Sequence, residues 1–312
     1  AESALTYFAV YWVLVWLDMP AHVAGPLALV ALAASPAVLT RVVADTRAAG
    51  PVTERAIVLA TLSTLYALTL GSARAEQINR QSVTLLDTMY PVVVVLGVSI
   101  IVAAVLSLAL RMALRFMSPT SENTSMLLLA LIAAATAVAA HMGGSAPLAA
   151  LLGGMLLKQL NPRPWAWPRQ LGNASSLLTM LMFVLVSTVA AQADWSGPVA
   201  GVVLTLIAVR LAAKAVGVGL GNVGSGASWR QALWVGCAMT PMSSIALLIA
   251  SQFVVASPST GHLIARVALP AILLMEVLGA VIATVAIYRA GESSKPWAPL
   301  LRGGRNGESN ES

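Results

Sequence analysis

Residues 91–110 read PVVVVLGVSIIVAAVLSLAL, twenty consecutive positions without a charged side chain. A helix rising ~1.5 Å per residue crosses the ~30 Å hydrocarbon core of a bilayer in about twenty such residues. A barrel strand would need only about ten and would alternate apolar with polar positions, which this run does not do. It reads as a membrane-spanning helix. Working outward, comparable runs recur from end to end, and hydropathy punctuated by Pro, Gly and charge gives ten candidate spans. They cover approximately Ala4 to Leu17, Val23 to Val43, Ala56 to Ser72, Thr88 to Leu114, Ser125 to Met142, Ala146 to Leu157, Leu171 to Ala191, Pro198 to Leu220, Gln231 to Ala256 and Leu263 to Tyr288. The fold class expected is therefore an all-α integral membrane protein of about ten transmembrane helices.

Composition agrees. The 312 residues are 58% hydrophobic and 10% charged, against roughly a quarter charged in a soluble domain. The net charge of +6 comes from basic residues scattered singly at span ends, without the clustered aromatic and basic residues of a nucleic-acid surface. If every span crosses, Arg41, Arg47, Arg55, Arg111, Arg115, Lys158, Arg230 and Arg289 fall on one side, whereas Arg74, Arg80 and Arg266 fall on the other. The positive-inside rule then puts both ends of the chain in the cytoplasm. The single cysteine, Cys237, excludes an internal disulfide or a Cys-based metal site. No Walker loop, dinucleotide fingerprint or metal-binding His pair is present, so nothing points to an enzyme or to a cofactor. Residues 1–290 read as one membrane domain and 291–312, rich in Gly, Asn and Ser, as a disordered tail.

Two spans carry proline beside small polar residues near their middle: Ser35-Pro36 in the second, and Thr240-Pro241 followed by Ser243-Ser244 in the ninth. Proline removes a backbone donor and frees a carbonyl. Either alone is compatible with an ordinary kink. Seven helices apart, the two run in opposite directions, the arrangement of inverted repeats whose broken helices meet at a midplane site. Between them the eighth span carries Arg210 and Lys214 on one helical face, and each cation in hydrocarbon costs ~2.5 kcal/mol or more unless a partner or cavity relieves it. Snorkelling is the alternative for Lys214. Glu276 stands about halfway along the last span and reads as the one acidic residue near the centre of any span.

Taken in order, Ala33-Ala34-Ser35-Pro36-Ala37-Val38, Gly50-Pro51-Val52-Thr53-Glu54-Arg55, Arg210-Leu211-Ala212-Ala213-Lys214, Thr240-Pro241-Met242-Ser243-Ser244, Met275-Glu276-Val277-Leu278-Gly279 and Arg289-Ala290-Gly291-Glu292 resemble Kef-type bacterial cation:proton antiporters. The resemblance covers nearly the whole chain. It implies an inverted-repeat core with two crossed, interrupted helices, a carboxylate on the helix after the first, and a lysine on the helix before the second, which Lys214 matches. It also implies that two or more N-terminal helices, which in the family contribute to dimerisation, precede the first span; together with the initial Ala1, this makes a truncated chain the expectation. Where the family commonly has an acidic pair, this sequence has Ser63-Thr64, and where many members have Glu it has Ser243-Ser244.

The function expected from these readings is exchange of a monovalent cation, Na⁺ or K⁺, for protons by alternating access across a bacterial inner membrane. Ser35, Pro36, Ser63, Thr64, Lys214, Thr240, Pro241, Ser243 and Ser244 line the expected transport site, with Glu276 and Arg210 as candidate proton carrier or charge partner. The expected partners are the cation, the proton, the lipid bilayer and a second copy in a homodimer, and no nucleic acid. Hydroxyls do not titrate near neutrality, so the missing carboxylate leaves Glu276 as the candidate for proton coupling. Two alternatives stay open: a transporter of anions or organic solutes on the same fold, favoured by Arg210 and Lys214, and a non-transporting membrane subunit.

Overall fold

A computed structural model describes residues 1–80, 85–118, 121–161, 168–191, 197–223, 226, 228–242 and 244–295. Among these residues the chain forms helices and no strand: α1 (Glu2–Trp16), α2 (Ala21–Leu32), α3 (Pro36–Thr46), α4 (Pro51–Arg80), α5 (Leu85–Phe116), α6 (Glu122–His141), α7 (Ala146–Leu160), α8 (Arg169–Ala191), α9 (Gly197–Gly221), α10 (Trp229–Ala238), α11 (Ser244–Ala256) and α12 (Pro258–Ala290). The ten expected spans fall on these helices, and the second and ninth are each split in two.

The splits follow from proline. In the second span Pro36 opens α3 with Ser35 as its N-cap, the Ser35 hydroxyl accepting from the Val38 N–H at 3.2 Å, a pairing of cap and first-turn proline that starts a helix rather than continuing one. In the ninth, Pro241 lies between the end of α10 and the start of α11. Helices of 12 and 11 residues in α2 and α3, and of 10 and 13 in α10 and α11, are each only ~15–20 Å long. Laid end to end, each pair spans a bilayer with its break near the middle.

Among the described residues six helical stretches are long and apolar enough to cross a membrane, α2 and α3 counting as one, and α7 and α11 are shorter apolar helices. The main body gathers α1–α4 with α9–α12: α1 packs on α9 and α2, α10 on α9, α12 and α4, and α11 on α12, α4 and α2. Its core is almost wholly aliphatic, from Leu14, Leu27 and Leu32 to Ile249, Phe253 and Ile272. Helices α5, α6 and α7 pack on one another as a second group, and α8 leans on α12, α11 and α6. Along α5, Val93, Ile100, Ile101, Val105, Leu108 and Met112 stay exposed, a face suited to lipid.

Candidate transport site

The first break frees carbonyls that a continuous helix would satisfy. Residue 36 has no N–H, so the Leu32 carbonyl loses its i+4 donor, and Ala31, Ala33 and Ala34 lose theirs as the backbone turns out of the helix. Every one of the four finds a side chain. The Ser63 hydroxyl of α4 donates to the Leu32 carbonyl at 2.8 Å. Its neighbour Thr64 lies 2.8 Å from the Ala34 carbonyl and 2.8 Å from the Ala60 carbonyl, with one proton to give to either. Arg210 of α9 serves the other two, Nε donating to Ala31 at 2.8 Å and Nη2 to Ala33 at 2.8 Å.

The same guanidinium holds the second break. Its Nη1 donates to the Thr240 carbonyl at 2.6 Å. Pro241 removes the i+4 donor for the Cys237 carbonyl, which accepts instead from the Thr240 N–H at 3.2 Å and the Thr240 hydroxyl at 2.8 Å. That hydroxyl also lies 3.4 Å from the Gly279 carbonyl of α12. Arg210 is fully buried and thus fixes both interruptions at one depth through a planar fan of donors that no ammonium could imitate.

One turn further along α9, Lys214 is likewise 0% exposed. Its Nζ lies 3.4 Å from the Leu32 carbonyl and 3.3 Å from Ser63 Oγ, and it forms an ion pair at 2.6 Å with Glu2 of α1. Snorkelling is thereby ruled out for this conformation. Glu2 is itself held by the Ser3 hydroxyl at 3.0 Å and the Thr6 hydroxyl at 3.3 Å. Helix α1 comes this close because α9 offers Gly217, where an added Cβ would collide with the Glu2 backbone.

Glu2 corrects the reading of Glu276 as the one acid at mid-membrane. The sequence placed Glu2 ahead of the first span, at Ala4, whereas the structure brings it to the depth of the helix breaks. Its signal was the buried lysine itself, which demanded an acid, and the Glu2/Thr6 pair on one helical face. Glu276 lies elsewhere. It shares with Val38, Arg41, Asp45, Met180 and Thr284 the lining of a cavity of about 760 Å³ between α3, α8 and α12, where its buried Oε2 has no hydrogen-bond partner. Ser35, Pro36, Ser63, Thr64, Thr240 and Pro241 all lie at the breaks or on the wall beside them. Ser243 lies outside the described residues, and Ser244 is placed as the first residue of α11.

A larger cavity, about 1030 Å³, follows the other half of the interrupted helix, from Ala21 and His22 along Gly25 and Leu29 to Leu32, with Tyr7, Tyr66 and Arg74 around it. The two cavities therefore flank α2 and α3 respectively, on opposite sides of the break. A membrane-embedded site of backbone carbonyls, hydroxyls and one ion pair, between two cavities, is the architecture of a transporter.

The model of the family described as "Sodium/hydrogen exchanger, transmembrane" matches residues 3–289. The chain belongs to the sodium/hydrogen exchanger family. This is a family of transporters, not of enzymes, and the exchanger is an integral membrane protein. Its fold is similar to that of the sodium proton antiporter MjNhaP1 from Methanocaldococcus jannaschii, solved at pH 8, with a TM-score of 0.68 at 14% identity, covering 92% of this chain and 76% of that one. No curated protein sequence matches it.

Proposed function

We propose that this exchanger moves Na⁺ or K⁺ against protons across a bacterial inner membrane, on the Kef-type pattern and with both described ends cytoplasmic, using Lys214 and Glu2 as its exchanging pair. The observation that carries the reading is the buried ion pair set against the carbonyls of a helix break. The ammonium occupies a place walled by the Glu2 carboxylate, the Ser63 hydroxyl and the Leu32 carbonyl. Those are hard oxygen ligands of the kind an alkali cation takes. When Lys214 gives up its proton and leaves, a cation takes the same oxygens; when it is protonated again, the cation is displaced. Proton and cation thus exclude one another, which antiport through one site requires. Ser63 and Thr64 contribute ligands and hold the break, and Glu2 supplies the charge that the Ser63-Thr64 pair lacks. Arg210 is fully buried and gives three of its donors, one from each nitrogen, to carbonyls of the two breaks, so it serves as scaffold rather than as a site for an anion.

The test is reconstitution into liposomes containing a pH-sensitive dye, with Na⁺ or K⁺ added outside. Cation-driven proton flux is expected from the wild type and from Glu276→Gln, and none from Glu2→Gln. Flux that survives Glu2→Gln but not Glu276→Gln would return the proton to Glu276. Uptake of a labelled organic anion in place of cation flux would overturn the reading altogether.

A further inference from the structure

Where the chain leaves α12, Gly291 adopts a left-handed conformation with φ +77°. Its N–H returns to the Tyr288 carbonyl at 3.0 Å and that of Glu292 to Ile287 at 3.4 Å. This closing turn favours glycine because a Cβ opposes positive φ, and it aims Glu292 at the first turn of α4. There Glu292 Oε1 accepts from the Val52 N–H at 2.7 Å, and Oε2 from the Thr53 N–H at 2.8 Å and the Thr53 hydroxyl at 2.7 Å. The Glu292 carbonyl accepts from the Ala49 N–H at 3.1 Å, and the Ser293 hydroxyl donates to the Thr46 carbonyl at 3.0 Å.

Helix α4 opens on Pro51, and the residue before it is Gly50, with no side chain to serve the unsatisfied N–H groups of the first turn. Glu292 supplies that cap from the far end of the sequence, with a carboxylate at the positive end of the helix dipole. Gly50 is the other half of the fit, since a Cβ there would overlap the Glu292 carboxyl group. The cap joins three elements that each touch the transport site. Helix α3 leaves the first break, α4 carries Ser63 and Thr64, and the Gly279 carbonyl of α12 faces Thr240 at the second break.

We propose that Glu292 is a positioning residue for transport: by capping α4 from the end of α12 it fastens the inner ends of α3, α4 and α12 into one moving body. The consequence for flux rests on the transport reading above; the fastening does not. The test uses the full chain in liposomes, as wild type, Glu292→Ala, Gly50→Ala and the double variant. Hydrogen exchange at the Val52 and Thr53 amides is expected to rise by about tenfold in each single variant, with no further rise in the double. Spin labels at Val58 and Val281, both exposed, in a Cys237→Ser background are expected to give a narrow distance distribution in the wild type and a broadened one in both single variants. Turnover per folded transporter is expected to fall several-fold with the apparent KM for the cation unchanged. Unchanged amide exchange would overturn the cap; faster exchange with an unbroadened distance, or with undiminished turnover, would overturn the fastening. A wild type without cation flux would count against the transport reading, while the exchange and distance readouts would still decide the fastening.

Discussion

Arg210 and Lys214 stand one turn apart on α9, and each relieves its charge differently. Arg210 meets only carbonyl oxygens, so Arg210→Met is expected to strip the Ala31, Ala33 and Thr240 carbonyls of their donor and cost about 3 kcal/mol or more. A lowered Tm in detergent would register it. Arg210→Lys should recover little, because one ammonium cannot reach acceptors on two separate breaks. Lys214 meets a carboxylate, so Lys214→Met is expected to leave Glu2 buried and unpaired at about 3–5 kcal/mol, most of which Glu2→Gln in the same chain restores. If the double variant were as unstable as Lys214→Met alone, the pairing would not be what holds Lys214. The two cations were legible in the sequence because a charge inside an apolar run has to be explained. Glu2 was not, because hydropathy measures distance along the chain rather than depth in the bilayer. Packing against Gly217 and the ion pair with Lys214 reveal that Glu2 lies level with the breaks.

At the scale of the helix, Pro36 and Pro241 with their small polar neighbours announced the interruptions, and the short span at Ala146 to Leu157 emerged as α7. Proline states where a ladder fails but not what replaces it, so the Arg210 fan across both breaks lay beyond sequence reasoning. Glu276 illustrates the same limit. Its position along α12 was legible, whereas the side it faces depended on where α3 and α8 would pack. Thr64→Val is expected to lose about 1–2 kcal/mol by leaving the Ala34 carbonyl without its donor, again read as Tm. Pro36→Ala tests the break directly. It returns an N–H that can reach the Leu32 carbonyl, so slower amide exchange at residues 37 and 38 and weaker cation flux are expected together. Unaltered flux with slowed exchange would mean that the interruption is dispensable.

For the whole molecule, two cavities flank opposite halves of one interrupted helix, and the main body meets the α5–α7 group through Val95 and Leu148, which share its aliphatic core, and through the Ser72 hydroxyl, 3.0 Å from Ser145 Oγ. In a Cys237→Ser background, a membrane-impermeant thiol reagent is expected to label Val38→Cys and Thr284→Cys from the cytoplasmic side and Ala73→Cys from the opposite side. Labelling of all three from one side would break the assignment of the cavities to two faces. The Arg210 fan also has a consequence for how the protein is made. Its acceptors Ala31 and Ala33 leave the ribosome 179 and 177 residues before Arg210, whereas Thr240 follows 30 residues after it. A cation at the centre of a lone helix costs ~2.5–3.5 kcal/mol on insertion. When α9 emerges, the carbonyls of α2 are already in the bilayer to receive its arginine, so the order of synthesis spares the nascent chain a stranded charge.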